Sequence, residues 1–161
     1  MVTCDVFDLQ VDVIEDRLLQ YEFHTDLPAG TRVIVVCTRD YEDMRGEGRV
    51  WRGYSSMVEL RAPISGPLFG QKGIIDVRLS DQKGLNLFRE IRGSSKIRTP
   101  VGDDLTLALT VGARQRHRAF GRYNCDLSGK KVENSGGINV VEVRCSVKLP
   151  MDGDLQPRIA R

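Results

Sequence analysis

Residues 5–13 read Asp5-Val6-Phe7-Asp8-Leu9-Gln10-Val11-Asp12-Val13, and the alternation in that stretch decides the fold class. Phe7, Leu9, Val11 and Val13 fall on one side of an extended chain, with Asp8, Gln10 and Asp12 on the other. That is the pattern of a half-buried strand, because successive side chains of a strand point to opposite faces. After the polar break Glu15-Asp16-Arg17 the alternation resumes: Leu19, Tyr21 and Phe23 against Gln20, Glu22 and His24. A short polar connection between two such runs predicts an antiparallel hairpin.

Outward from that hairpin the same period dominates. Leu27-Pro28-Ala29-Gly30 is a turn, in which proline presets one dihedral and glycine accepts a positive φ. Thr31–Arg39 follows, apolar at Val33, Ile34, Val35, Val36 and Cys37, and reads as a central strand covered on both faces. Asp40–Arg49 is charged and glycine-punctuated, as a loop would be; Val50–Arg61, with Trp51 and Tyr54 near its start, is the next strand. Pro63, Gly66, Pro67 and Gly70 break regular structure over 62–71.

Gly73–Ser80 alternates again through Ile75, Val77 and Leu79. From Asp81 to Arg92 the spacing of Leu85, Leu87, Phe88 and Ile91 fits helix or strand; the helix is preferred, with Ser80 or Asp81 as its cap. Leu105, Leu107, Leu109 and Val111 form a further strand, and Val141, Val143, Cys145, Val147 and Leu149 line the last one. Gly112–Gly137, rich in arginine and glycine, is the least regular part.

Seven strand-like runs joined by turns predict an all-β, antiparallel β-sandwich of the immunoglobulin-like kind with at most one short helix. At 161 residues with 40% hydrophobic and 29% charged content, the chain suits one folded domain over 1–149. Residues 150–161 read as a flexible tail.

The start of the chain, with Asp5 and Asp8, lacks the basic and then apolar pattern of a secretory signal, which predicts a cytoplasmic location unless a signal has been removed. No apolar run is long enough for a membrane helix. Cys4, Cys37, Cys125 and Cys145 are widely spaced, so no zinc site is expected. Cys125 and Cys145 are placed to bridge only if their segments meet in an oxidising compartment.

Neither GxSxG, GxxxxGK[ST] nor HExxH occurs, which removes the main sequence support for a hydrolase or nucleotide enzyme, and no cofactor is implied. Ser55 and Ser56 have no base nearby in sequence. An enzyme reading would have to assemble a site around His24 with Glu22 or Asp26.

Charge is uneven along the chain: seven carboxylates stand against Arg17 alone in residues 1–30, and eight bases against Glu90, Asp103 and Asp104 in residues 89–122. Within the basic region, Arg114, Arg116, His117, Arg118, Arg122 and Tyr123 form a candidate anion-binding segment, with Phe120 interleaved. Guanidinium groups bind phosphate, and aromatic faces stack on bases. The competing structural account is that Arg114, Arg116 and Arg118 line one solvated strand edge and protect it from pairing. The expectation is thus a noncatalytic binding or accessory module with a protein partner, the alternative partner being nucleic acid or another polyanion. Whether the acidic and basic regions meet within the fold discriminates between self-neutralisation and an external partner.

Thr25-Asp26-Leu27-Pro28-Ala29-Gly30-Thr31 running into Arg32–Val36, then Gly53-Tyr54-Ser55-Ser56, Val58-Glu59-Leu60 and Ser65-Gly66-Pro67-Leu68-Phe69, resembles the TxLPxGT, GY and GPF segments of uncharacterised bacterial immunoglobulin-like domains. The resemblance covers residues 19–80 and implies a β-sandwich with a binding or structural role, usually on exported proteins, and no catalytic residues.

Overall fold

The alternating runs become strands in the structure, a computed structural model that describes residues 1–42, 48–61, 69–92 and 102–155. In chain order these are β1 (Val2–Thr3), β2 (Phe7–Glu15), β3 (Leu18–Thr25), β4 (Arg32–Glu42), β5 (Gly48–Glu59) and β6 (Phe69–Asp76). After helix α1 (Val77–Arg92) come β7 (Asp104–Val111), β8 (Leu127–Ser128), β9 (Glu133–Ser135) and β10 (Ile138–Lys148). A five-stranded antiparallel sheet in the order β5-β4-β7-β10-β9 faces a three-stranded antiparallel sheet β2-β3-β6, and β1 pairs in parallel with β8. The architecture is therefore mostly β and sandwich-like.

The core lies between the layers. Phe7, Leu19, Tyr21, Phe23 and Ile75 come from the smaller sheet and meet Val33, Val35, Cys37, Leu105, Leu107, Leu109 and Val141 from the larger. Phe7 and Phe23 stack with ring centroids 5.7 Å apart. The Tyr21 ring covers Gly73 on the neighbouring strand so closely that a Cβ there would lie 2.3 Å from it, so glycine is required for close approach. Burial pushes the Tyr21 hydroxyl pKa upward.

The turns follow the local chemistry. Gly30 takes φ 86°, and Thr31 closes the Leu27–Gly30 turn by donating through its hydroxyl to the Pro28 carbonyl at 2.7 Å. Gly136 (φ 59°) and Gly137 (φ 85°) make the two-residue connection between β9 and β10, where both central residues need positive φ.

Several expectations are corrected. First, Val77–Ser80 is helix, not the end of a strand. Val77, Ser80, Asp81, Gly84, Leu85 and Phe88 are buried at helical spacing, while Leu79 is exposed. Second, the cap is Asp76, whose carboxylate accepts from the Leu79 amide at 3.1 Å. Ser80 and Asp81 lie inside the helix and face the core.

Third, β4 is central but covered on one face. Val33, Val35 and Cys37 are fully buried, whereas Ile34 is 39% exposed and its neighbour Met57 on β5 is 56% exposed. Among the described residues only one side of the five-stranded sheet receives a second layer, because α1 and the smaller sheet both pack on the face that carries Cys37 and Arg39. Fourth, Arg114, Arg116 and Arg118 edge no strand: they sit in the loop after β7.

Helix α1 extends the second layer over β4 and β5, and a buried ion pair holds it there. Arg39 donates from Nε to Asp81 Oδ1 at 2.6 Å and from Nη2 to Oδ2 at 3.1 Å, and Nη1 reaches the Gly102 carbonyl at 3.3 Å. Of the segment read as a tail, Met151 is buried against Leu85 and Phe88 with Leu155 beside it; 156–161 lie outside the described residues. Strands β4 and β5 reach into the stretch read as a loop over 40–49. Outside the described residues lie 43–47, the Ser65–Leu68 motif, and most of the loop expected over 93–104.

Candidate anion-binding site

The basic segment occupies a pinned loop. At its start the Gln115 side chain imitates a neighbouring strand: its Oε1 accepts from the Arg32 amide at 2.8 Å. Its Nε2 donates to the carbonyls of Arg32 at 2.9 Å and Gly112 at 3.1 Å. At its far end buried Asn124 donates to the carbonyls of Gly112 at 2.8 Å and Asn139 at 3.0 Å. Asn139 returns the contact, donating to the carbonyls of Asn124 at 3.3 Å and Leu127 at 3.1 Å. Both loop ends are thereby tied to β4, β7 and β10, the arrangement of a compact surface loop whose ends are close.

Between the pins, fully buried Phe120 anchors the loop to the core. His117 caps the turn Arg118–Phe120, its Nδ1 accepting from the Ala119 amide at 3.3 Å and its ring meeting Phe120 edge-on at 6.1 Å. A second turn, Arg122–Asn124, contains Tyr123 (φ 54°) and Asn124 (φ 59°) in the left-handed region. Asparagine tolerates that conformation; tyrosine there is uncommon and carries strain of about 1–3 kcal/mol.

Arg114, Arg116, His117, Arg118 and Arg122 are exposed, as is Tyr123 at 58%. The Arg122 guanidinium lies 5.2 Å from the Tyr123 ring centroid, close enough for a cation–π contact. None of these arginines has an acidic partner among the described residues.

Five of the seven N-terminal carboxylates have partners elsewhere. Asp5 accepts from the Lys130 amide at 2.8 Å, and Asp8 lies 3.9 Å from Lys131. Asp16 lies 3.8 Å from Arg17. Glu22 sits 3.4 Å from His24 and 3.9 Å from Lys72. Asp26 accepts from the amides of Asp5 at 3.1 Å and Val6 at 3.2 Å. Among the described residues no carboxylate of the acidic region forms an ion pair with an arginine of the basic loop.

Beside the loop, on the uncovered face of the five-stranded sheet, is a cleft of about 410 Å³ lined by Arg32, Ile34, Ser55, Met57, Arg114 and Gln115, among others. Arg32 Nε is buried and has no hydrogen-bond partner among the described residues. Glu59 stands opposite Arg32 in the β4–β5 ladder yet makes no ion pair with it. Sequence reasoning found Arg114 but missed Arg32, Ile34 and Met57. The apolar run 33–37 hid the fact that its even-numbered positions are not covered by any of the described residues.

Around His24 the structure gathers Glu22 and Lys72, while Asp26 is engaged with backbone amides and contributes nothing to a site there. Among the described residues no cluster of three His, Cys, Asp or Glu side chains is placed to hold a metal, and no helix is long and apolar enough to cross a membrane. All four cysteines are free thiols; Cys125 is exposed and Cys145 half-buried. No protein-family profile, curated protein or solved structure matches this chain.

Proposed function

We propose that this chain is a noncatalytic binding module whose partner is a polyanion, with single-stranded nucleic acid as the leading class, engaged through Arg114, Arg116, Arg118, Arg122 and Tyr123. One observation carries the reading: four guanidiniums within nine residues of a pinned loop are exposed and unpaired among the described residues, although the chain holds nearly as many acids as bases. An exposed arginine attracts phosphate at little desolvation cost, and an exposed tyrosine offers a stacking face.

The test is the affinity for a fluorescent single-stranded oligonucleotide, and for heparin, measured across salt concentration. Four phosphate contacts on a single strand give a log–log slope of roughly −3, and each arginine replaced by alanine reduces it by about 0.7. Absence of binding to both probes at low salt overturns the proposal. Salt-independent binding would place the contact elsewhere and count equally against it.

A further inference from the structure

The cleft beside the loop combines an apolar floor with a cationic wall. Its floor is apolar, with Ile34 and Met57 exposed side by side in the β4–β5 ladder. Its wall is cationic, formed by Arg32 and Arg114, with Ser55 adding a hydroxyl. A volume of about 410 Å³ falls within the range of small-molecule sites. Arg32 makes no ion pair among the described residues, which leaves its guanidinium charge uncommitted.

The charge of the cleft selects the ligand class. Arg32 and Arg114 attract an anion, and the exposed floor of Ile34 and Met57 favours one that carries an apolar chain over a bare phosphate. We propose that this cleft binds a small monocarboxylate with an unbranched apolar chain, its head group on Arg32, Arg114 and Ser55 and its chain over Ile34 and Met57. The Arg32 backbone is held by Gln115 and by β5, so the guanidinium is presented from a fixed point. That geometry favours recognition of a planar carboxylate. The inference stands apart from the polyanion reading, with which it shares only Arg114.

The experiment follows backbone amide resonances of the isotope-labelled full chain during titration with octanoate, octanol, octylammonium and acetate. Octanoate shifts the amides of Ile34, Ser55, Met57 and Gly112, and the other three probes bind at least about tenfold more weakly, each lacking the anion or the chain. Arg32→Met weakens octanoate by about tenfold with the remaining amide spectrum preserved. Met57→Glu abolishes octanoate binding and leaves oligonucleotide binding intact, whereas the combined Arg116→Ala, Arg118→Ala and Arg122→Ala variant does the reverse. Octanoate that moves none of these amides overturns the inference. So does octanol binding as tightly as octanoate, or loss of octanoate binding in the triple variant.

Discussion

At the scale of single residues, the Arg39–Asp81 pair shows how a polar contact decides a local fold. Both side chains are almost wholly buried, at 3% and 2% exposure, and the carboxylate accepts two hydrogen bonds from one guanidinium. Desolvating two ions offsets much of their mutual attraction, so the pair contributes more to placement than to net stability. Removing one partner strands the other. Asp81→Ala is expected to destabilise the fold by about 3–5 kcal/mol, whereas Arg39→Met combined with Asp81→Leu restores most of that loss. Chemical denaturation of the single and double variants reads the difference; equal destabilisation in both would show that the helix site cannot accept apolar substitutes. The same pair explains a misreading from sequence. Ser80 and Asp81 suggested a helix start because such residues commonly cap, yet both are buried in mid-helix, Asp81 against Arg39 and Ser80 against the Cys37 thiol.

At the scale of elements, strands were legible where one face is apolar and the other polar, as in β2, β3, β7 and β10. The β6–α1 boundary was not, because Ile75, Val77 and Leu79 alternate by coincidence, and the buried helical stripe passes through Ser80, Asp81 and Gly84. A reader of hydrophobicity sees no stripe there. The segment after β10 was equally opaque, since Met151 and Leu155 are isolated apolar residues whose partner, α1, lies far away in sequence.

That segment is held partly by charge. Asp152 accepts from the Asp154 amide at 3.0 Å and from Arg78 of α1 at 2.7 Å, and the guanidinium of Arg17 donates to the Pro150 carbonyl. The Asp154 amide first, and the nearby Arg78 and Arg17, hold the Asp152 carboxyl below the usual carboxylate range. A lowered acid contributes its stabilisation above its ordinary value near pH 4 and loses it as pH falls through the lowered one. Hydrogen exchange at the Leu155 amide, which donates to the Asp152 carbonyl, should therefore accelerate relative to β7 below about pH 4, beyond the intrinsic pH dependence. Asp152→Asn should abolish that extra acceleration.

Across the whole molecule, the two layers share one core whose separation can be followed through thiols. Burial pushes Cys4 up to about 12 and Cys37 up to about 11, while Cys125 lies exposed beside the loop. Alkylation at pH 8 is expected to modify Cys125 quickly and Cys145 more slowly, with Cys4 and Cys37 reacting only at the rate of global opening. Mass spectrometry of partly labelled protein checks this; early modification of Cys37 would mean that α1 lifts from β4 without unfolding the sandwich.

The site was legible to different depths at this scale. The arginine loop announced itself by composition, but the cleft depends on Ile34 and Met57 being neighbours across a ladder and on both being left exposed by the described residues. Both facts arise from how strands pair and stack, so no local window of sequence contains them.

The first few residues belong to the same neighbourhood. Val2 and Thr3 pair with Leu127 and Ser128, Cys4 and Ser128 are joined by a backbone hydrogen bond of 2.8 Å, and a Cβ at Gly129 would lie 2.4 Å from the Cys4 carbonyl. Since Asn139 clasps both Asn124 and Leu127, clipping the chain ahead of Asp5 would loosen the anchorage from which the arginines project. If the loop captures a polyanion as proposed, a protease acting on those opening residues would turn that capture down without cutting any of the arginines.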